Sequence, residues 1–277
     1  MLSYRHSFHA GNFADVLKHI VQIEILEHLR KKDKAFDYID THSGAGLYHL
    51  HSENMQKLQE YTNGIAKLDA EQFPEVKSYF EAINSFNQTD ELEFYPGSPA
   101  IAKYFLRPQD KGWLFELHPQ DFEHLSNNIN RNRKVKITKS DGLKGMLGLV
   151  PTASRRALIL IDPSYEIKTE YQLVVESVIK AYKKFSTATY AIWYPVVDRK
   201  NVDLMEKALK ESGIKNIQRY ELALAEDSSG RGMTSSGMFV INPPWTLQSK
   251  MADLLPKLSK SLTGQEHLYQ CDILVEE

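Results

Sequence analysis

Four strand-like runs in this chain each end on, or just before, an acidic residue. They are AFDYID to Asp40, GWLFE to Glu116, VKIT followed by Asp141, and ALILI followed by Asp162. Between and after them the apolar residues switch to helical spacing. Alternating strands and helices predict a mostly parallel sheet with helices on both faces. In open sheets of this kind ligands bind beyond the carboxyl ends of the strands, where the strand order reverses. The four acidic residues are therefore expected along one edge of the sheet, with Asp162 beside the turn that follows Asp40.

The remaining elements follow from local signals. Asn12 is placed to cap a helix from Phe13 to about Lys32, with Asp15 in its first turn. Seven strands are expected: 35–40, 112–116, 135–138, 157–161, 189–193, 217–224 and 238–241. The last two have no helix between them and read as an antiparallel hairpin. Helices are expected at about 119–131, 142–148, 169–186, 199–212 and 247–262, with a short one from the PGSP turn (96–99) to about Leu106. The polar stretch from 52 to 91 is long for a crossover and reads as an inserted helical subdomain, with helices near 53–68 and 74–87. Residues 1–51 and 92–277 then form the main domain.

Composition narrows the class. Apolar residues make up 42% of the 277 and charged residues 25%, the balance of an ordinary globular protein. Cys271 is the only cysteine, which excludes an intrachain disulfide and suits a reducing compartment. No signal peptide and no membrane span is legible, so the expected location is cytoplasmic, with no membrane partner. Net charge is −2, which excludes a uniformly basic surface but not a local basic patch. Nothing suggests a large exposed apolar face, so a monomer without an obligate protein partner is expected.

The strand-end motifs point to a nucleoside ligand. In Asp40-Thr41-His42-Ser43-Gly44-Ala45-Gly46 the glycines let the backbone approach a ligand closely. The third glycine of a dinucleotide fingerprint is absent, so a nucleoside without a pyrophosphate, such as S-adenosylmethionine, fits better. A purely structural turn fits that segment about as well. Glu116 can accept both ribose hydroxyls, and Asp141-Gly142 ends the next strand in the same way. Seven of the ten histidines lie in the first 51 residues, yet no H-E-x-x-H or cysteine pair accompanies them, so no metal is expected.

Two tetrapeptides compete for the chemistry. Asp162-Pro163-Ser164-Tyr165 and Asn242-Pro243-Pro244-Trp245 both resemble the [Asp/Asn/Ser]-Pro-Pro-[Tyr/Phe/Trp] motif of enzymes that methylate an exocyclic base amine. If the last strand is antiparallel, NPPW falls on the opposite edge, as a turn with Trp245 packed as an anchor. DPSY stays at the switch point. Arg231, in the hairpin loop, falls on the catalytic edge as an RNA contact or a solvated residue.

The order of YRHSFHAGNFADVLKH, DTHSGAG, YPGSP, ELHP, IDPSY, WYPVV and RGMT-x-SGM over the whole chain resembles the bacterial RlmJ-type 23S rRNA adenine-N6 methyltransferases. The resemblance implies a Rossmann-like class I methyltransferase fold with a small helical insertion. It also implies S-adenosylmethionine as cofactor and one adenine of protein-free 23S rRNA as substrate. Carried over, it places Lys18, His19, His42, Gly44, Ser98, Glu116, Asp141, Gly142 and Asp162 around the cofactor. Asp162 becomes the catalytic residue, with the Pro163 carbonyl as second acceptor and the Tyr165 ring stacked on the base. Tyr4 becomes an RNA contact, and Arg5, His6, His9 and Lys18 complete an RNA-facing rim beside the cofactor, whose affinity should weaken with salt. Ser164 stands where the family usually has proline. The alternatives are a DNA adenine-N6 methyltransferase, a non-catalytic RNA- or cofactor-binding protein and, last, a metal-dependent hydrolase.

Overall fold

The computed structural model describes residues 6–89, 91–129, 134–227 and 232–277. Helix α1 (Phe13–Arg30) starts where Asn12 caps it, the Oδ1 accepting from the amides of Ala14 and Asp15. It is almost wholly buried, because its apolar positions run round most of the helix. It therefore packs across the sheet rather than on the surface.

The core strands are β1 (Asp37–Asp40), β4 (Lys111–Phe115), β5 (Val135–Thr138), β6 (Ala157–Ile161) and β7 (Thr189–Val196), all parallel. Then come β8 (Ile217–Ala223), β9 (Ser235–Ile241) and β10 (Tyr269–Val275). The order across the sheet is β10-β8-β9-β7-β6-β1-β4-β5. Strand β9 runs antiparallel between β7 and β8, as the hairpin reading requires. The order reverses between β1 and β6, which sets Asp162 next to the β1 turn. The fold is Rossmann-like α/β with a mostly parallel sheet.

The sheet has eight strands rather than the expected seven. The extra one, β10, pairs antiparallel with β8 at the sheet's border. Being an edge strand it is only partly buried, so its sequence lacks the continuous apolar run that marked β6. A two-stranded ladder was also not anticipated. It joins β2 (Leu47–His49) to β3 (Phe94–Pro96).

The segment between those two strands holds α2 (Glu53–Leu58), several 3-10 turns and α3 (Lys77–Asn84). The expected helix over 53–68 stops at Leu58, where Gln59 adopts a left-handed conformation. Its later part is held from outside: the Ile65 amide donates to the Gly11 carbonyl, and Lys67 Nζ donates to the Leu262 carbonyl of α9 (Leu247–Thr263).

The crossover helices are α4 (Ser98–Phe105), α5 (Pro119–Ile129), α6 (Gly142–Leu149), α7 (Thr169–Lys184) and α8 (Arg199–Glu211). Asn242 lies at the edge opposite to Asp162. Its side chain donates to the carbonyls of Ser186 and Ala188, just before β7 begins. Trp245 is not the packed anchor expected: it is 83% exposed.

Candidate functional site

A cavity opens at the carboxyl edge where β1, β4, β5 and β6 end. Its floor is the turn after β1. Asp40 is fully buried there, accepting from Tyr38 Oη at 2.7 Å, Ser98 Oγ at 2.7 Å and the His42 amide at 3.2 Å. Burial pushes its carboxyl up to about 6, against those three donors. Gly44 has φ +57, and a Cβ there would meet Tyr48 Oη at 2.4 Å. At Gly142 a Cβ would meet the Thr41 carbonyl oxygen at 1.8 Å, so only glycine lets the turns after β1 and β5 touch.

The acidic strand ends converge as the sequence predicts. Glu116 lines the cavity and accepts from the Gly44 amide at 2.8 Å and the His118 amide at 2.7 Å. Burial raises its pKa, opposed by those amides. Each carboxylate oxygen has a second lone pair, so capacity for ligand hydroxyls remains. Asp141 caps α6 through the Lys144 amide and also lines the wall. His42 lines it too, lowered by burial to about 4, with Nδ1 2.8 Å from Thr41 Oγ1.

On the other side α1 supplies Lys18 and His19. His19 is 1% exposed, and burial lowers it to about 3, so it is neutral. Its Nδ1 pairs with Tyr95 Oη at 2.8 Å, while its Nε2 is buried with no hydrogen-bond partner. An orphaned polar atom on a cavity wall suits a bound polar ligand. Lys18 donates to Asp162 Oδ2 at 2.6 Å and lies 2.8 Å from Asp15 Oδ1. Burial opposes its charge, but the two carboxylates win and it stays protonated. Burial also raises the Asp162 carboxyl above its ordinary value, opposed chiefly by Lys18.

The other expected site residues separate. Ser98, Pro163 and His6 line the cavity with Asp162. His9 does not; its Nδ1 pairs with Glu60 of the inserted segment at 2.9 Å. Tyr165 also departs from expectation. It is 8% exposed and lies off the cavity wall, with its ring 4.3 Å from that of Tyr171 and its hydroxyl donating to the Trp193 carbonyl. Its φ of +53 turns the ring back into the core instead of toward a base. Tyr4, Arg5 and Arg231 lie outside the described residues. Among the described residues no group of three His, Cys, Asp or Glu could hold a metal ion. No described helix is long and apolar enough to cross a membrane.

Asp15 is the residue of this cluster that the sequence does not mark: it reads as an ordinary first-turn acid, and its i,i+3 spacing to Lys18 is the available signal.

Residues 33–275 match the family model described as ribosomal RNA large subunit methyltransferase D, RlmJ. The chain is 49% identical over 264 residues to ribosomal RNA large subunit methyltransferase J of Escherichia coli, covering 95% of this chain and 94% of that one. It is also 49% identical to the protein of the same name from Haemophilus influenzae, covering 96% and 95%. A crystal structure of a Legionella pneumophila protein matches with TM-score 0.88 at 38% identity, covering 96% of this chain and 98% of the other. By sequence over nearly its whole length, and by fold, the chain belongs to the RlmJ family of ribosomal RNA large subunit methyltransferases.

Proposed function

We propose that this chain methylates the N6 amino group of one adenine in free 23S rRNA, using S-adenosylmethionine, as a cytoplasmic monomer during ribosome biogenesis. The observation that carries this is the Asp162 carboxylate, set at the switch point of the sheet and faced by a buried lysine, in a chain of this family. The residues present fit the cofactor. Glu116 and Asp141 offer acceptors, His19 offers an unpartnered ring nitrogen, and Gly44 and Gly142 line the cavity at the two turns. Lys18, His42, Ser98 and Asp162 complete the set that would hold it. When bound, S-adenosylmethionine supplies an electrophilic methyl group on a positively charged sulfur.

The protein's own contribution is to make a poor nucleophile competent. The adenine amine donates its lone pair into the ring. Asp162 and the Pro163 carbonyl would accept its two hydrogens and favour a pyramidal nitrogen. Lys18 engages Asp162 Oδ2, which leaves Oδ1 for the amine. The nitrogen would become cationic as it took the methyl group and the sulfur left neutral; a carboxylate beside it in a water-poor site would stabilise that charge until the surplus proton passed to solvent. Most of the remaining help is alignment. Tyr165 serves here as backing for the Pro163-Ser164 turn rather than as a stacking plane. Tyr4, Arg5, His6, His9 and Arg231 are assigned to the RNA-facing rim, with the adenine unstacked before it enters.

The test is labelled methyl transfer to deproteinised, unmodified 23S rRNA, with matched DNA as control. Asp162→Ala should lower the rate at least ~100-fold, well beyond any accompanying loss of cofactor affinity. Equal labelling of DNA, or an Asp162→Ala rate within tenfold of wild type, would overturn the reading.

A further inference from the structure

Asp15 is 1% exposed in the first turn of α1. Its Oδ2 accepts from the Gly11 amide and from His6 Nε2, each at 2.9 Å. Its Oδ1 lies 2.8 Å from Lys18 Nζ and 3.9 Å from His19 Nε2. Lys18 reaches Asp162 from the other side, at 2.6 Å. One buried ammonium is thus shared by a buried carboxylate and by one that opens onto the cavity.

Helix capping does not account for this arrangement. Asn12 already accepts from the first free amides of α1. A carboxylate taken fully out of water is strongly unfavourable, and neutral packing would serve the helix better. Asp15 matters for what it does to Lys18. Facing Asp162 alone, the ammonium would close on that carboxylate and cancel its charge. Held from behind by Asp15, it touches one oxygen only, and the cluster keeps two negative charges to one ammonium beside the reacting nitrogen.

We propose that Asp15 is a positioning residue for methyl transfer, holding Lys18 on one oxygen of Asp162 so that the other stays open to the adenine amine. This rests on the assignment of Asp162 made above. Asp15 itself is ionised through the working range. Burial pushes its pKa up, but His6 and Lys18 hold it well below the usual carboxylate value. The groups facing it are His6 from the N-terminal segment, Lys18 and His19 from α1, Tyr48 from β2, Tyr95 from β3, Tyr79 from α3 and, through Lys18, Asp162 after β6.

The experiment compares Asp15→Asn, Lys18→Met, the double variant and Asp162→Asn. Steady-state kinetics on the RNA are paired with calorimetric cofactor affinity and thermal melting. Asp15→Asn should lower kcat by roughly 10- to 100-fold, with cofactor Kd and RNA KM within about threefold of wild type. Because Asp15 acts through Lys18, the double variant should be no slower than Lys18→Met alone. An unchanged kcat in Asp15→Asn, losses that multiply in the double variant, or a cofactor affinity that falls in step with kcat would each overturn the proposal. Wild-type turnover by Asp162→Asn would instead remove the reading on which it rests. If Asp15→Asn does not fold, Asp15→Glu carries the comparison. It keeps the charge and should run within about tenfold of wild type, and a rate as low as that of Lys18→Met would overturn the idea.

Discussion

Asp40 shows how much a single residue can hold in this site. It accepts from Tyr38, Ser98 and the His42 amide, yet burial still lifts its carboxyl from 3.8 to about 6. A carboxyl raised on folding contributes stability that is fully present below its unfolded pKa and is lost as pH rises through the folded value. The stability from this group should therefore fall between about pH 4 and pH 6 and then level off. A shift from 3.8 to about 6 corresponds to about 3 kcal/mol. Asp40→Asn should remove that dependence. Urea unfolding of both proteins from pH 4 to 7 reads it as a stability difference that grows in favour of the variant. A difference that stays flat with pH would mean the carboxyl is not raised.

Between elements, the site depends on two turns touching. The Thr41 carbonyl and Gly142 meet so closely that no side chain fits between them. A methyl group must drive the turns after β1 and β5 apart, at a cost of roughly 1–3 kcal/mol. The same displacement would pull His42 away from Asp141 and open the cavity floor. Gly142→Ala should thus weaken cofactor binding more than tenfold by calorimetry while the fold persists. Unchanged affinity would show that the turns can separate without disturbing the site. Helix α1 works at this scale as well. One helix carries Asp15, Lys18 and His19, and Asn12 fixes its start. The three therefore reach the site as a set, with Lys18 the one of them that touches Asp162.

For the molecule as a whole, topology decides which of two similar tetrapeptides faces a ligand. Strand β9 runs against β7, so NPPW emerges where β7 begins, across the sheet from the cavity. Asn242 has φ +51, and its side chain donates to the carbonyls of Ser186 and Ala188 at 2.7 and 2.8 Å. Asn242→Ala loses both bonds and should cost on the order of 1–3 kcal/mol of stability. Methyl transfer per folded molecule should stay within about threefold of wild type. A folded, cofactor-binding variant with no methyl transfer would contradict this placement.

Local pattern alone was enough to read the alternation of strands and helices, the cap at Asn12, the glycine turn and the acidic ends of four strands. Each depends on residues close together in the chain. The antiparallel last strand was legible too, because no crossover helix precedes it. What lay beyond sequence depends on contacts made across the fold. Strand β10 exists because β8 offers it an edge to pair with. The inserted segment is broken into turns because Gly11 and Leu262 claim parts of it. Tyr165 points inward because Tyr171 and Trp193 receive its ring and hydroxyl, whereas Trp245 stands 83% exposed. The charge cluster of Asp15, Lys18 and Asp162 spans 147 positions of chain, from 15 to 162. Only folding brings its members within hydrogen-bond distance, where burial makes each charge depend on the others.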